Sequence, residues 1–212
     1  MKNLHKIILL VVASSLLMLN ACKDDDQPEP QEYGTFNLTF DHVWGMNQQE
    51  FNLNTWLKQP KTGDSLNFTT FKYYISNLQL QKEDGSWWTE DESYYLVEVD
   101  KEGGNTLTID NVPVGNYTAL KFVHGIDSTR NVSGAQEGAL SVLNGMFWSW
   151  NSGYIMTKIE GESPQADDGT FAFHIGGFSG ENNVVTEREA SFGSEALSVQ
   201  TSATPTLKMV AN

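Results

Sequence analysis

This 212-residue sequence predicts an all-β fold: a single-domain antiparallel β-sandwich with long loops, preceded by a signal peptide and a flexible tether. Three observations predict it. Short runs of alternating apolar and polar residues recur along the chain. Turn-forming residues separate them at sandwich-like spacing, and no long amphipathic helical pattern interrupts them.

The N-terminus reads as a leader rather than fold. Lys2 and Lys6 form a basic start, and Ile8 to Leu19 is an apolar run too short to span a bilayer comfortably. Leu19-Asn20-Ala21-Cys22 follows, which predicts cleavage after residue 21 and lipid attachment at Cys22. Several acyl chains on one residue anchor stably, at about 0.8 kcal/mol per buried methylene. Cys22 is the one cysteine of the chain, so no intrachain disulfide forms. Residues 22–32 read as a tether, Lys23-Asp24-Asp25-Asp26 and then a Pro/Glu/Gln stretch. The Lys-then-acidic run resembles the export signal of surface-exposed lipoproteins, which predicts an outer-membrane location on the cell surface, with the periplasmic face as alternative.

The folded part is then residues 33–212, a length that suits one domain with a real core. Loss of Lys2 and Lys6 takes the formal charge from -14 to -16. That acidity argues against nucleic-acid binding.

Tyr33 to Val43 alternates, with Phe36, Leu38 and Phe40 on one face, and ends in Asp41-His42-Val43-Trp44. Gln49 to Leu57 predicts a second strand or irregular segment, and Lys61 to Asp64 a turn. Leu66 to Leu80 reads as a longer strand, bent near Ser76-Asn77. Glu83-Asp84-Gly85-Ser86 signals a hairpin that would leave Trp87 and Trp88 exposed as a binding surface or packed on a neighbouring loop. Strands follow at Tyr94 to Val99, Thr106 to Ile109 and Thr118 to Val123, the last entered through a turn set by Pro113 and Gly115. Ser133 to Leu143 is the best helix candidate. Gly145 to Gly161 reads as a strand in which Trp148, Trp150 and Tyr154 share a face. Gly169 to Ile175 is a strand bearing His174, and residues 184–192, 196–200 and 207–210 complete the set.

Asp127, Arg130 and Asn131 read as a structural polar loop, an Arg fork to a carboxylate with side chains capping the turn. Asp167-Asp168-Gly169 reads as a hairpin turn rather than a calcium loop. No nucleophile elbow, phosphate loop, HExxH or cysteine-based metal motif occurs, so an enzyme is not expected.

Five blocks in order carry a resemblance. They are Phe71 to Leu78, Val112 to Tyr117, Gly125 to Asn131, Gly145 to Gly161, and Phe173-His174-Ile175-Gly176-Gly177. As a set they resemble the MbnP-like copper-binding protein family, from about Phe36 to Asn183. The resemblance implies a periplasmic or surface β-sandwich that binds one copper ion through histidines and, in some relatives, through kynurenine made from a tryptophan. It also implies a MauG-like dihaem peroxidase as the partner that carries out that oxidation.

Four histidines occur, and His5 leaves with the leader. His42, His124 and His174 remain as candidate ligands; imidazole suits copper, and the softer thiolate is absent. His42 matches the family's early F-x-H position. His174 precedes glycines that allow close backbone approach. His124 stands where relatives often have another residue, and its alternative is a satisfied core or edge histidine. Trp44, Trp148 and Trp150 are the candidates for oxidation or for support of the site. The competing reading is a surface lipoprotein that binds glycan or peptide through exposed aromatics such as Trp87 and Trp88, without metal.

Overall fold

A computed structural model of the chain describes residues 30–134, 136–148 and 153–212. The leader, Cys22, most of the tether and Trp150 lie outside the described residues. The chain passes through β1 (Tyr33–Trp44), β2 (Gln49–Glu50), β3 (Trp56–Lys58), β4 (Ser65–Lys82), β5 (Trp87–Thr89), β6 (Tyr94–Glu98), β7 (Thr106–Pro113) and β8 (Gly115–His124). A single helical turn, α1 (Ser128–Asn131), leads on to β9 (Phe147–Trp148), β10 (Gly153–Glu162), β11 (Thr170–Gly176), β12 (Thr186–Ser191), β13 (Leu197–Val199) and β14 (Thr206–Ala211).

Two sheets face each other. In the smaller one β1 lies between β14 and β7. The β1–β14 pair is parallel, a departure from the purely antiparallel expectation. A parallel neighbour needs a long crossover, and here most of the domain separates the two strands. The larger sheet runs β11-β10-β4-β8-β12, with β4 at its centre.

β4 is 18 residues long and changes partners along its length. Along one edge β10 pairs with residues 67–73 and β8 with residues 75–82. Toward the main core it buries Tyr73 and Ile75, then Leu78 and Leu80. A regular strand would put the second pair on the opposite face. The bend predicted near Ser76-Asn77 restores the register. Asn77 adopts a left-handed φ of 53°, and the ladder shifts between Ser76 and Gln79. Ser76 donates to the Gly125 carbonyl at 2.8 Å, and the Leu78 amide donates to Ser93 Oγ at 3.0 Å.

Phe36, Leu38 and Phe40 of β1 bury themselves against that face with Leu120, Phe122 and Ile109. Each such side chain contributes about 1.5–3 kcal/mol on burial. The opposite face of β4 and β10 carries a second cluster, Tyr74, Ile126, Leu140, Met146, Tyr154 and Met156.

The helix expected over Ser133 to Leu143 does not form over the described residues of that segment. The segment forms two 3-10 turns, Gly138–Leu140 and Val142–Asn144. Gly134 and Gly138 sit at φ of 82° and 61°, values a right-handed helix does not use, so they break the pattern. The helical turn comes earlier, where Asp127 caps α1 by accepting from the Arg130 amide at 3.1 Å.

Asp127 also accepts from the Tyr94 hydroxyl at 2.5 Å and the Asn77 amide at 3.4 Å, and these bonds hold its carboxyl below the usual carboxylate range. Arg130 forks to Glu92 rather than to Asp127. Asp127→Ala is expected to cost about 1–3 kcal/mol, read as a lower urea midpoint at unchanged m.

Candidate metal centre

The three candidate histidines fall on two sides of the larger sheet, His42 facing it from β1 of the smaller one. His42 points inward from β1, in register with Phe36, Leu38 and Phe40, and is 8 % exposed. Its Nε2 lies 3.0 Å from the Tyr73 hydroxyl, and its ring meets Phe71 and Tyr73 edge-on at 5.4 and 5.8 Å. His124 ends β8, paired with Ile75 of β4 and Thr186 of β12. Its ring lies 5.7 Å from Tyr73, and its Nε2 is 3.1 Å from Thr157 Oγ1. Thr157 is itself the β10 partner of Tyr73. His124 therefore stands where β8 hands over to β10 along one edge of β4. His42 and His124 thus meet the same phenol, though one comes from each sheet.

His174 is apart. It pairs with Lys158, the neighbour of Thr157, so it stands on the opposite face. There its Nε2 lies 2.7 Å from Glu160 Oε1, which Lys158 also approaches at 3.3 Å. Trp148 shares this outer side: its indole lies against Gly176, two residues along β11 from His174. Trp44, in contrast, shares the inward face of β1 with His42; its Nε1 donates to the Lys58 carbonyl at 2.9 Å, and its ring packs on Phe68 at 5.3 Å.

Electrostatics separate the inner pair from a charged surface histidine. Burial pushes the His42 imidazole down, opposed in part by Asp41. Burial pushes His124 down as well, helped by Arg188. Both are neutral at pH 7, the form that binds a metal ion. Burial raises the Tyr73 phenol, so it stays protonated and bonds a neutral ring. Thr186 Oγ1 is buried without a hydrogen-bond partner, on the strand beside His124. Among the described residues no three His, Cys, Asp or Glu side chains converge where they could hold a metal together. The donor set is therefore two neutral imidazoles, with the Tyr73 oxygen beside one of them. Those donors fit copper, for which imidazole is a suitable ligand.

The depressed imidazoles make a pH prediction. In the unfolded chain both histidines bind protons near pH 6.5, and in the folded chain only at lower pH. The unfolded state therefore binds more protons below about pH 6.5, and stability is full above that value and falls on acidification. Urea midpoints measured from pH 7.5 to 5 are expected to fall less steeply in a His42→Gln/His124→Gln double variant than in the parent.

Sequence reasoning left out Tyr73, Thr157 and Thr186. Tyr73 stood inside a recognised block, but only the packing of β1 on the larger sheet and the arrival of β8 beside β4 show it in contact with both His42 and His124. The Trp87-Trp88 pair is packed and not exposed. Lys121 Nζ covers the Trp87 ring at 4.5 Å, and Trp88 packs against the main core. The Gly145 to Gly161 strand is broken into β9 and β10, which pair Trp148 with Gly153 and Phe147 with Tyr154, so Trp148 and Tyr154 are not one continuous row. Asp168 caps its turn as expected, accepting from the Thr170 amide at 3.1 Å.

The profile of the MbnP family matches residues 33–212, and the chain belongs to that family. No curated protein matches significantly. Among solved structures the chain resembles MbnP from Methylosinus trichosporium, with a TM-score of 0.53 and 16% identity over 74% of this chain and 71% of that one. At that identity the likeness speaks to the fold.

Proposed function

We propose that this member of the MbnP family is a lipid-anchored, extracytoplasmic copper-binding protein, not an enzyme, that takes its ion at His42 and His124. The observation that carries this reading is a pair of imidazoles, kept neutral by burial, that both contact the Tyr73 side chain. The unpartnered Thr186 hydroxyl beside His124 supports it, as a polar group whose partner has yet to arrive. Bound there, copper would be held behind aromatic walls for acquisition or storage. Thr157 would fix the His124 ring, as a supporting hydrogen bond does for a ligand imidazole.

Location rests on the sequence: the leader, Cys22 and the acidic tether support a surface-exposed outer-membrane lipoprotein. Among the described residues no helix is long and apolar enough to cross a membrane. Where a MauG-like dihaem peroxidase is the partner, Trp44 is the tryptophan on the inner face for it to oxidise to kynurenine.

Anaerobic titration of the mature chain with Cu(I) against a chromophoric chelator tests the reading. One tight equivalent is expected, with the zinc ion binding more weakly. Absence of a tight equivalent, or preference for zinc, would reject it.

A further inference from the structure

Far from the histidines, the molecule carries a second concave site, open to solvent and walled by aromatic rings. Tyr33 stands at the opposite end of β1 from His42, about 30 Å away along the strand. Beside it lies a cleft of about 540 Å³, lined by Tyr33, Trp88, Tyr95 and polar side chains from β5, the turn that follows it, and β7. A further cleft of about 440 Å³ adjoins it and shares Tyr33, Asp110 and Asn111. The two form one elongated groove with Tyr33 at its middle. Its volume falls in the range of small-molecule sites.

The lining selects the ligand. Tyr33 is 54% exposed, a ring face left in water at a groove where burial was available. Around the rings stand Thr89, Glu90, Asp91, Thr108, Asp110 and Asn111, and no lysine or arginine, which disfavours an anion. Glu90 is held by the Ser93 and Tyr95 hydroxyls, and Asp110 by Thr35 Oγ1 at 2.7 Å. Both carboxylates are thus fixed in orientation and keep lone pairs for further donors. Among the described residues no three such groups converge on a metal-sized point. Hydroxyl and amide groups beside the carboxylates are wasted on a simple cation but serve a ligand that both donates and accepts. Ring faces flanked by oriented acceptors match a polyol that has apolar C–H faces and hydroxyl edges.

We propose that this groove binds a neutral oligosaccharide, with sugar rings stacked on Tyr33 and Trp88 and hydroxyls donating to Asp110, Asp91 and Glu90. The elongation over two clefts suits a chain of sugars rather than one ring. The site does not depend on the copper reading, since no histidine lines it. It also gives Trp88 a binding role from inside a groove, not from a hairpin tip.

The test is calorimetric titration of the mature chain with maltotetraose, cellotetraose, laminaritetraose, mannotetraose and triacetylchitotriose, with spermidine as a cationic control. At least one oligosaccharide is expected to bind with a Kd of about 1 mM or below. That affinity should drop about tenfold or more in Tyr33→Ala and in Asp110→Asn. Both positions are exposed, so circular dichroism should match the parent and a loss reports on the groove. Three results would overturn the proposal: no binding by any of the five sugars, binding unchanged in both variants, or binding of spermidine alone.

Discussion

His42→Ala and His124→Ala are each expected to abolish the tight copper equivalent, whereas His174→Ala leaves it in place. The inner imidazoles are the two the fold brings to one phenol, and each is neutral because it is buried. Removing either leaves a single nitrogen donor, with Tyr73 protonated beside it. The loss should exceed the about 10–100-fold that deleting a supporting hydrogen bond costs, and Thr157→Val should fall within that range. His174 is already engaged by Glu160 on the opposite face, so its removal costs a surface contact. Chelator competition on the four variants gives the ranking. Loss of copper in His174→Ala with retention in His42→Ala would place the ion on the outer face.

Gly176→Val should be among the most damaging single substitutions in the fold. A Cβ at Gly176 would lie 2.3 and 2.5 Å from two carbons of the Trp148 indole and 2.8 Å from the Tyr154 carbonyl oxygen. Neither obstacle is the end of a flexible chain, so the indole must leave its seat or β11 must leave β10. Overpacking of this kind costs typically 1–3 kcal/mol, and the combined clash with ring and backbone places this case at the upper end, about 3 kcal/mol or more. A lower urea midpoint and a red shift of tryptophan emission would report both. Ala172→Val, exposed on the same strand, should stay within about 0.5 kcal/mol of the parent. Equal effects at the two positions would show that the indole seat is not the cause.

Much of this was legible in the sequence because strand alternation is a local signal. The inward row Phe36, Leu38 and Phe40 and the bend at Ser76-Asn77 follow from period and turn chemistry alone. The Ser133 to Leu143 segment misled because its small residues resemble a helix while its glycines take left-handed φ. The packing of Trp87 and Trp88 was not legible because their cover, Lys121 and the core, comes from a strand distant in sequence. The candidate site was half legible. Each histidine could be named, but a face is a property of pairing. Only the register of Lys158 with His174, set beside Thr157 with Tyr73, divides the three histidines into two and one. Tyr73 and Thr186 carry no sequence signal of their own; their meaning comes from β8 and β10 sharing one edge of β4.

Copper binding at the inner histidines is tested by the copper content and intact mass of the protein isolated from its native membrane. One copper per chain, coordinated by nitrogen, is expected, with that copper lost from a His42→Ala/His124→Ala strain. A mass showing the net gain of one oxygen atom and loss of one carbon, mapped to Trp44, would add the peroxidase partner. A chain that carries no copper in copper-replete cells, or that keeps its copper without both inner histidines, would contradict it.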